Sequence, residues 1–208
     1  MSTTDNNKDL PLPEQHKGGE KNIESTVDTG SLDEASNLFQ RARKRLFDVN
    51  NWDKICGKLS AVFKLTDNKG NEVSGEAKEG NYFKIDIPGP GTAAGKGYDW
   101  VRVEEIVEEN KGETEYALIR VRPTDNPSTG DKSVAHFFSD KATSNFVIKR
   151  DGTFVTAAVY GRNEVPNTEA DNLLDKARNA VIGVSAIAGV SNAQWKSLTN
   201  GLLYYNEK

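Results

Sequence analysis

The chain has 208 residues and a single cysteine, Cys56, so no intrachain disulfide framework can form. A composition this poor in thiols points to a reducing compartment. There are two histidines, His16 and His136, and with one cysteine they cannot complete any usual zinc-ligand spacing. No metal or other cofactor is expected. Positive charge is not in surplus: the formal net charge of −4 argues against a dedicated nucleic-acid binder, which needs a basic surface. Long apolar runs are absent as well. The most apolar stretch, Ala180 to Val190, is far too short to span a bilayer. The opening MSTTDNNKDLPLPEQ lacks the basic start and apolar run of a signal peptide, so the expected location is cytoplasmic. Residues 1–30 hold only Met1, Leu10, Leu12, Ile23 and Val27 as large apolar side chains. That is too little buried surface to offset the entropy of ordering, which predicts a disordered N-terminal tail over 1–30 and one α+β domain over 31–208.

What is present is a clear change of period along the chain. Ser31-Leu32-Asp33-Glu34 has capping-box spacing. Leu32, Ala35, Leu38, Phe39, Ala42, Leu46 and Phe47 then recur at helical intervals. From Lys58 the period falls to two. Leu59 to Leu65, a weak segment over Glu72–Ala77, Tyr82–Ile87, Trp100–Glu108, Glu115–Arg122, a short Val134–Phe138, Asn145–Arg150 and Thr153–Tyr160 all read as strands. Asp151-Gly152 marks a hairpin between the last two. Helix returns after Pro166, with Thr168 as N-cap and an apolar face through Leu173, Leu174, Ala177, Val181, Val184 and Ile187. Ser191-Asn192-Ala193-Gln194 starts a last helix with Trp195, Leu198, Leu202 and Leu203 inward.

Short turns between successive strands imply antiparallel pairing, and strands followed by helices imply the α+β class. The expected architecture is an N-terminal helix, a curved antiparallel sheet of about seven strands and a C-terminal helical pair. A small β-barrel with flanking helices is the alternative. In order of elements, over residues 31–205, the chain resembles the helix-grip arrangement of START-like ligand-binding proteins. No strand is read before the first helix, where that arrangement carries one. The resemblance implies a ligand cavity between the sheet and the C-terminal helix.

Few segments carry chemistry. Pro88 to Gly97 has the glycines and the lysine of a phosphate loop, but Pro90 stands where the first Walker glycine belongs. Gly97 replaces the magnesium-binding hydroxyl, and a strand rather than a helix follows. The acidic run Glu104, Glu105, Glu108, Glu109, Glu113 and Glu115 lacks the spacing of a calcium loop and reads as a solvated hairpin end. His136, beside Phe137 and Phe138, is a candidate general base, although no nucleophile stands in a matching context. Tyr160-Gly161-Arg162-Asn163-Glu164 is a polar cluster where the last strand hands over to helix. Arg120 and Arg122 share a strand face with Tyr116 and Leu118. They suit a carboxylate or phosphate if that face lines a cavity, and otherwise pair with glutamates of the neighbouring strand. Arg41, Arg43, Lys44 and Arg45 crowd one face of the first helix and could meet an acidic partner.

These readings favour a non-enzymatic intracellular protein that binds a small apolar or amphipathic ligand. Phe83, Ile85, Trp100 and Phe146 are its expected walls, and the ligand-binding set is Trp100, Arg120, Arg122, His136, Tyr160, Arg162 and Glu164. Two alternatives stand beside it. One is a structural or adaptor protein making protein–protein contacts. The other is a cyclase- or hydrolase-type enzyme, which needs His136, Asp99, Arg162 or Glu164 to converge on one pocket.

Overall fold

The computed structural model describes residues 9–56, 61–87, 92–168, 182 and 192–204. Strand β1 (Gly19–Asp28) comes first. It is followed by α1 (Leu32–Phe47), a 3-10 turn (Val49–Asn51) and the short α2 (Trp52–Cys56). Then come β2 (Val62–Thr66), β3 (Tyr82–Asp86), β4 (Asp99–Lys111), β5 (Thr114–Pro123), β6 (Thr143–Asp151), β7 (Phe154–Glu164) and α3 (Asn192–Tyr204). The strands form one antiparallel sheet in the order β1-β7-β6-β5-β4-β3-β2, and the fold is α+β. Among the described residues no ladder joins the two edges, β1 and β2, so the barrel alternative is not what forms. Bulges between Gly19 and Lys21 in β1 and between Val103 and Glu105 in β4 bend and twist their strands.

The largest correction to the sequence reading is β1. Residues 19–28 were expected in a disordered tail, yet they pair with β7 from Gly19↔Glu164 to Asp28↔Phe154. The first element is therefore a strand, not a helix, and a strand precedes α1 after all. Hydrophobic periodicity is silent here because two of the inward positions are Lys21 and Ser25. Both are buried through polar contacts: Ser25 Oγ meets Thr199 Oγ1 at 2.8 Å and Asn200 Oδ1 at 2.7 Å on α3. Two expected strands shrink to isolated bridges, Thr66↔Glu72 and Phe138↔Pro166. Seven strands is the right number, reached with β1 in place of the two weak segments. The helix expected after Thr168 falls at positions outside the described residues.

Ser31 caps α1 as its spacing predicts, its side chain accepting from Glu34 N at 3.2 Å. Ala35, Leu38, Phe39, Ala42, Leu46 and Phe47 are buried against the sheet. Trp52 centres this inner layer. Its ring lies 5.3 Å from Phe63, 5.8 Å from Phe83 and 4.9 Å from Phe146, and its indole N–H donates to Leu46 O. Trp195 of α3 closes over the same aromatics, 5.6 Å from Phe146. Two of the four basic residues on α1 are tied down. Arg43 bonds Glu108 at 2.6 Å and Glu76 at 3.1 Å, and Arg45 donates to Leu202 O at 2.9 Å, holding the last turn of α3.

Candidate functional site

The cross-strand register sorts the sheet face turned away from the helices into three ranks. Thr26, Thr156, Lys149 and Tyr116 lie side by side across β1, β7, β6 and β5. The next rank is Glu24, Ala158, Val147 and Leu118, continued by Val107 on β4. The third is Asn22, Tyr160, Asn145, Arg120 and Glu105. An apolar strip is thus flanked by two polar ones. Over β1, β7 and β6 this face opens into a cleft of about 600 Å³, lined among others by Glu24, Thr26, Val147, Lys149, Ala158 and Tyr160.

Residues 9–17 cross the neighbouring part of the same face as an extended strap. Leu10 and Leu12 pack on Tyr116, Leu118, Val147, Ala158 and Tyr160, and Leu10 also forms part of the cleft wall. Pro11 and Pro13 lack backbone donors, which suits a segment that stays outside the ladder.

The polar rank is tightly bonded. Tyr160 donates its hydroxyl to Glu24 Oε1 at 2.7 Å. Asn145 donates to Tyr160 O at 3.0 Å and accepts from Arg120 Nε at 2.8 Å. Arg120 also donates to Glu105 Oε2 and to Pro11 O. Arg162 stacks over Tyr160, its guanidinium carbon 5.6 Å from the ring centre, and donates to Asn22 Oδ1 at 2.8 Å and Lys21 O at 3.1 Å.

Glu164 turns back beneath Gly161. A Cβ on Gly161 would stand 2.1 Å from Glu164 Oε1, so only glycine leaves room for the carboxyl. Its Oε2 lies 3.9 Å from Lys21 Nζ, with both side chains buried, and takes no hydrogen bond from the described residues. Burial pushes the Glu164 carboxyl above its ordinary range, against the pull of Lys21 and Arg162. Burial likewise lowers the Lys21 ammonium, against the pull of Glu164. On both partners loss of water outweighs mutual attraction.

The seven residues expected to form the site therefore divide. Arg120, Tyr160 and Arg162 come together on the outer face, and Glu164 lies beside them at the β1–β7 bulge. Arg122 is elsewhere, bonded to Glu104 Oε1 at 2.5 Å and Asp140 O at 2.7 Å. Both arginines of β5 pair with glutamates of β4, the simpler of the two roles their strand spacing suggests. Trp100 is buried, with its indole N–H on Gly95 O at 3.2 Å and its backbone N on Ala135 O. His136 stacks on Phe137 at 4.2 Å and accepts from Phe138 N through Nδ1 at 2.9 Å. That bond places the proton of a neutral ring on Nε2. Phe83, Ile85 and Phe146, expected as ligand walls, belong to the core that α1 and α2 fill. Beside α3 the described side chains leave a gap of about 10 Å³, lined by Trp52, Phe63, Trp195 and Leu198 among others.

Sequence reasoning missed Leu10, Lys21, Glu24 and Lys149. Three of them lie in the segment read as a tail, where Ile23 and Val27, four positions apart, are too sparse to mark a strand. Lys149 sits in a strand that was recognised, but an isolated lysine on a strand gives no sign of burial.

No family model matches the chain, and no curated protein matches it. Among solved structures it is similar to the hypothetical protein jhp0584 from Helicobacter pylori, at 16% identity and a TM-score of 0.48, over 90% of this chain and 87% of that one. It is also similar to protein Ms6760 from Mycobacterium smegmatis, at 12% identity and a TM-score of 0.39, over 95% and 100% of the two chains. The ginseng major latex-like protein 151 from Panax ginseng aligns at 10% identity and a TM-score of 0.32, over 84% and 99%. Likenesses at this level assign the chain neither a ligand nor a reaction.

Proposed function

We propose that this is a non-enzymatic binding protein that holds a small amphipathic molecule in the cleft on the outer face of its sheet. The carrying observation is the cleft itself: about 600 Å³, lined by Thr26, Thr156, Lys149, Glu24, Phe154 and Tyr160, with Val147 and Ala158 buried at its base beside Leu10. Ligand sites have this size, and apolar and polar side chains both line this one, as an amphipathic molecule requires. The resemblance in element order implies a cavity on the other face, against the C-terminal helix. Among the described residues the side chains there are packed, and of the spaces these residues line the outer cleft is the roomier.

The test is titration with 8-anilinonaphthalene-1-sulfonate, an amphipathic fluorescent probe, against the full chain and its Thr156→Trp variant. Thr156 is half-buried and lines the cleft, and strands accept tryptophan readily. Saturable one-to-one binding that the variant loses, with unchanged circular dichroism, is the expected result. Equal binding by both chains overturns the assignment.

A further inference from the structure

The strap over residues 9–17 is built as a lid with a hinge and a latch. Among the described residues its only backbone–backbone bond is internal, from Leu12 N to Leu10 O. Its ties to the sheet pass through a few side chains. Asn163 Oδ1 accepts from His16 N at 2.7 Å and Lys17 N at 3.2 Å, and Asn163 Nδ2 donates to Glu14 O at 3.0 Å. Gln15 Oε1 accepts from Asn163 N at 2.8 Å, so one residue holds four consecutive positions of the strap. Arg120 holds Pro11 O. Asn163 adopts a left-handed backbone, φ 56°, which asparagine tolerates better than most residues and which turns its amide towards the strap. At the hinge, Gly18 has φ 85°, and a Cβ there would lie 2.6 Å from Glu164 O. Near the start of the described strap, Leu10 is buried and is at once a lid residue and part of the cleft wall.

A ladder strand leaves a sheet only by breaking a row of backbone bonds. Among the described residues, this segment leaves by releasing two side-chain latches and the packing of Leu10 and Leu12, while β1 stays paired beyond Gly18. We infer that residues 9–17 are a displaceable lid that gates the outer cleft, pivoting at Gly18 and latched by Asn163 and Arg120. The inference rests on the cleft being the ligand site, and it assigns that site its means of entry and release. Opening uncovers Leu118, Val147 and Ala158 to an incoming apolar group. Closing returns Leu10 against the ligand.

The test uses the full chain with Asn163→Gly, which keeps the left-handed backbone and removes the latch. Hydrogen exchange at the His16 and Lys17 amides should accelerate by about 10-fold, the equivalent of one or two ordinary hydrogen bonds. Exchange at Leu118 and Val147 should stay unchanged. In stopped-flow mixing with 8-anilinonaphthalene-1-sulfonate, association and dissociation should both quicken by about the same factor. Leu10→Ala, which leaves the latch intact, should speed dissociation alone, and it serves the test should Asn163→Gly not fold. Faster amide exchange with unchanged probe kinetics overturns the gate while leaving the cleft assignment standing. Thr156-insensitive binding, or no binding by any chain, overturns both.

Discussion

Tyr160 on the last strand donates its hydroxyl to Glu24 on the first, across 2.7 Å, although the two stand 136 positions apart in the chain. The bond ties β7 to its edge neighbour at the rim of the cleft, and both residues line it. Tyr160→Phe keeps the ring and removes the donor. Stability should fall by about 1 kcal/mol, an ordinary net value for a hydrogen bond near the surface, read from urea denaturation. Probe affinity should fall with it, because the polar end of the cleft loses a hydroxyl acceptor and Glu24 loses the bond that holds it at the rim.

The Lys21–Glu164 pair gives a second prediction. Lys21→Met takes the opposite charge away from a buried carboxyl and should cost about 3 kcal/mol, whereas Lys21→Met with Glu164→Gln should recover most of that loss. Urea denaturation of the single and double variants checks this. A double variant as unstable as the single would contradict the account.

The same pair fixes a pH dependence. Folding raises the Glu164 pKa above its ordinary 4.5, so this group's contribution is complete below pH 4.5 and is lost as pH rises through the folded value. Lys21 works in the opposite sense. Its folded pKa lies below 10.5, so its contribution is complete above pH 10.5 and is lost as pH falls through the lowered value. Stability measured against pH should therefore be flatter in the double variant than in the natural chain, on both the acid and the alkaline side.

Gly161 is confined chiefly by the Glu164 carboxyl beneath it. Gly161→Ala should cost about 2 kcal/mol, as overpacking at a closed site does. In a Glu164→Ala background the same substitution should be close to neutral, since the nearest obstruction is gone. Two denaturation curves that show the same loss in both backgrounds would rule out the clash as the cause.

At the other edge of the sheet, Asn50 bonds Leu65 N through Oδ1 and Val73 O through Nδ2, each at 2.8 Å. It stands in for a missing strand beside β2. Asn50→Ala leaves a part-buried donor and acceptor unmet and should cost about 2 kcal/mol, with hydrogen exchange rising first at Leu65.

Much of the fold was legible where apolar periodicity carried it. The buried face of α1, its Ser31 cap, and the strands from Tyr82 onward all follow from spacing, because their inward residues are aliphatic or aromatic. β1 was not legible because half its inward positions are Lys21 and Ser25, whose burial depends on Glu164 and Thr199, more than a hundred residues away. The candidate site was legible only in part for the same reason. Tyr160, Arg162 and Glu164 stood out as a cluster, while Glu24, Leu10 and Asn163's hold on the strap exist only once β1 lies against β7. Arg122, Trp100 and His136 attracted attention by residue type, and each proves to be engaged with its own surroundings.

The central claim is that the outer cleft holds a small molecule, and native mass spectrometry of the chain purified from its own host tests it most directly. The account predicts a small molecule retained on the natural chain, released on denaturation, and absent from Thr156→Trp prepared in the same way. A bare natural chain, or one that carries only protein partners, would contradict it.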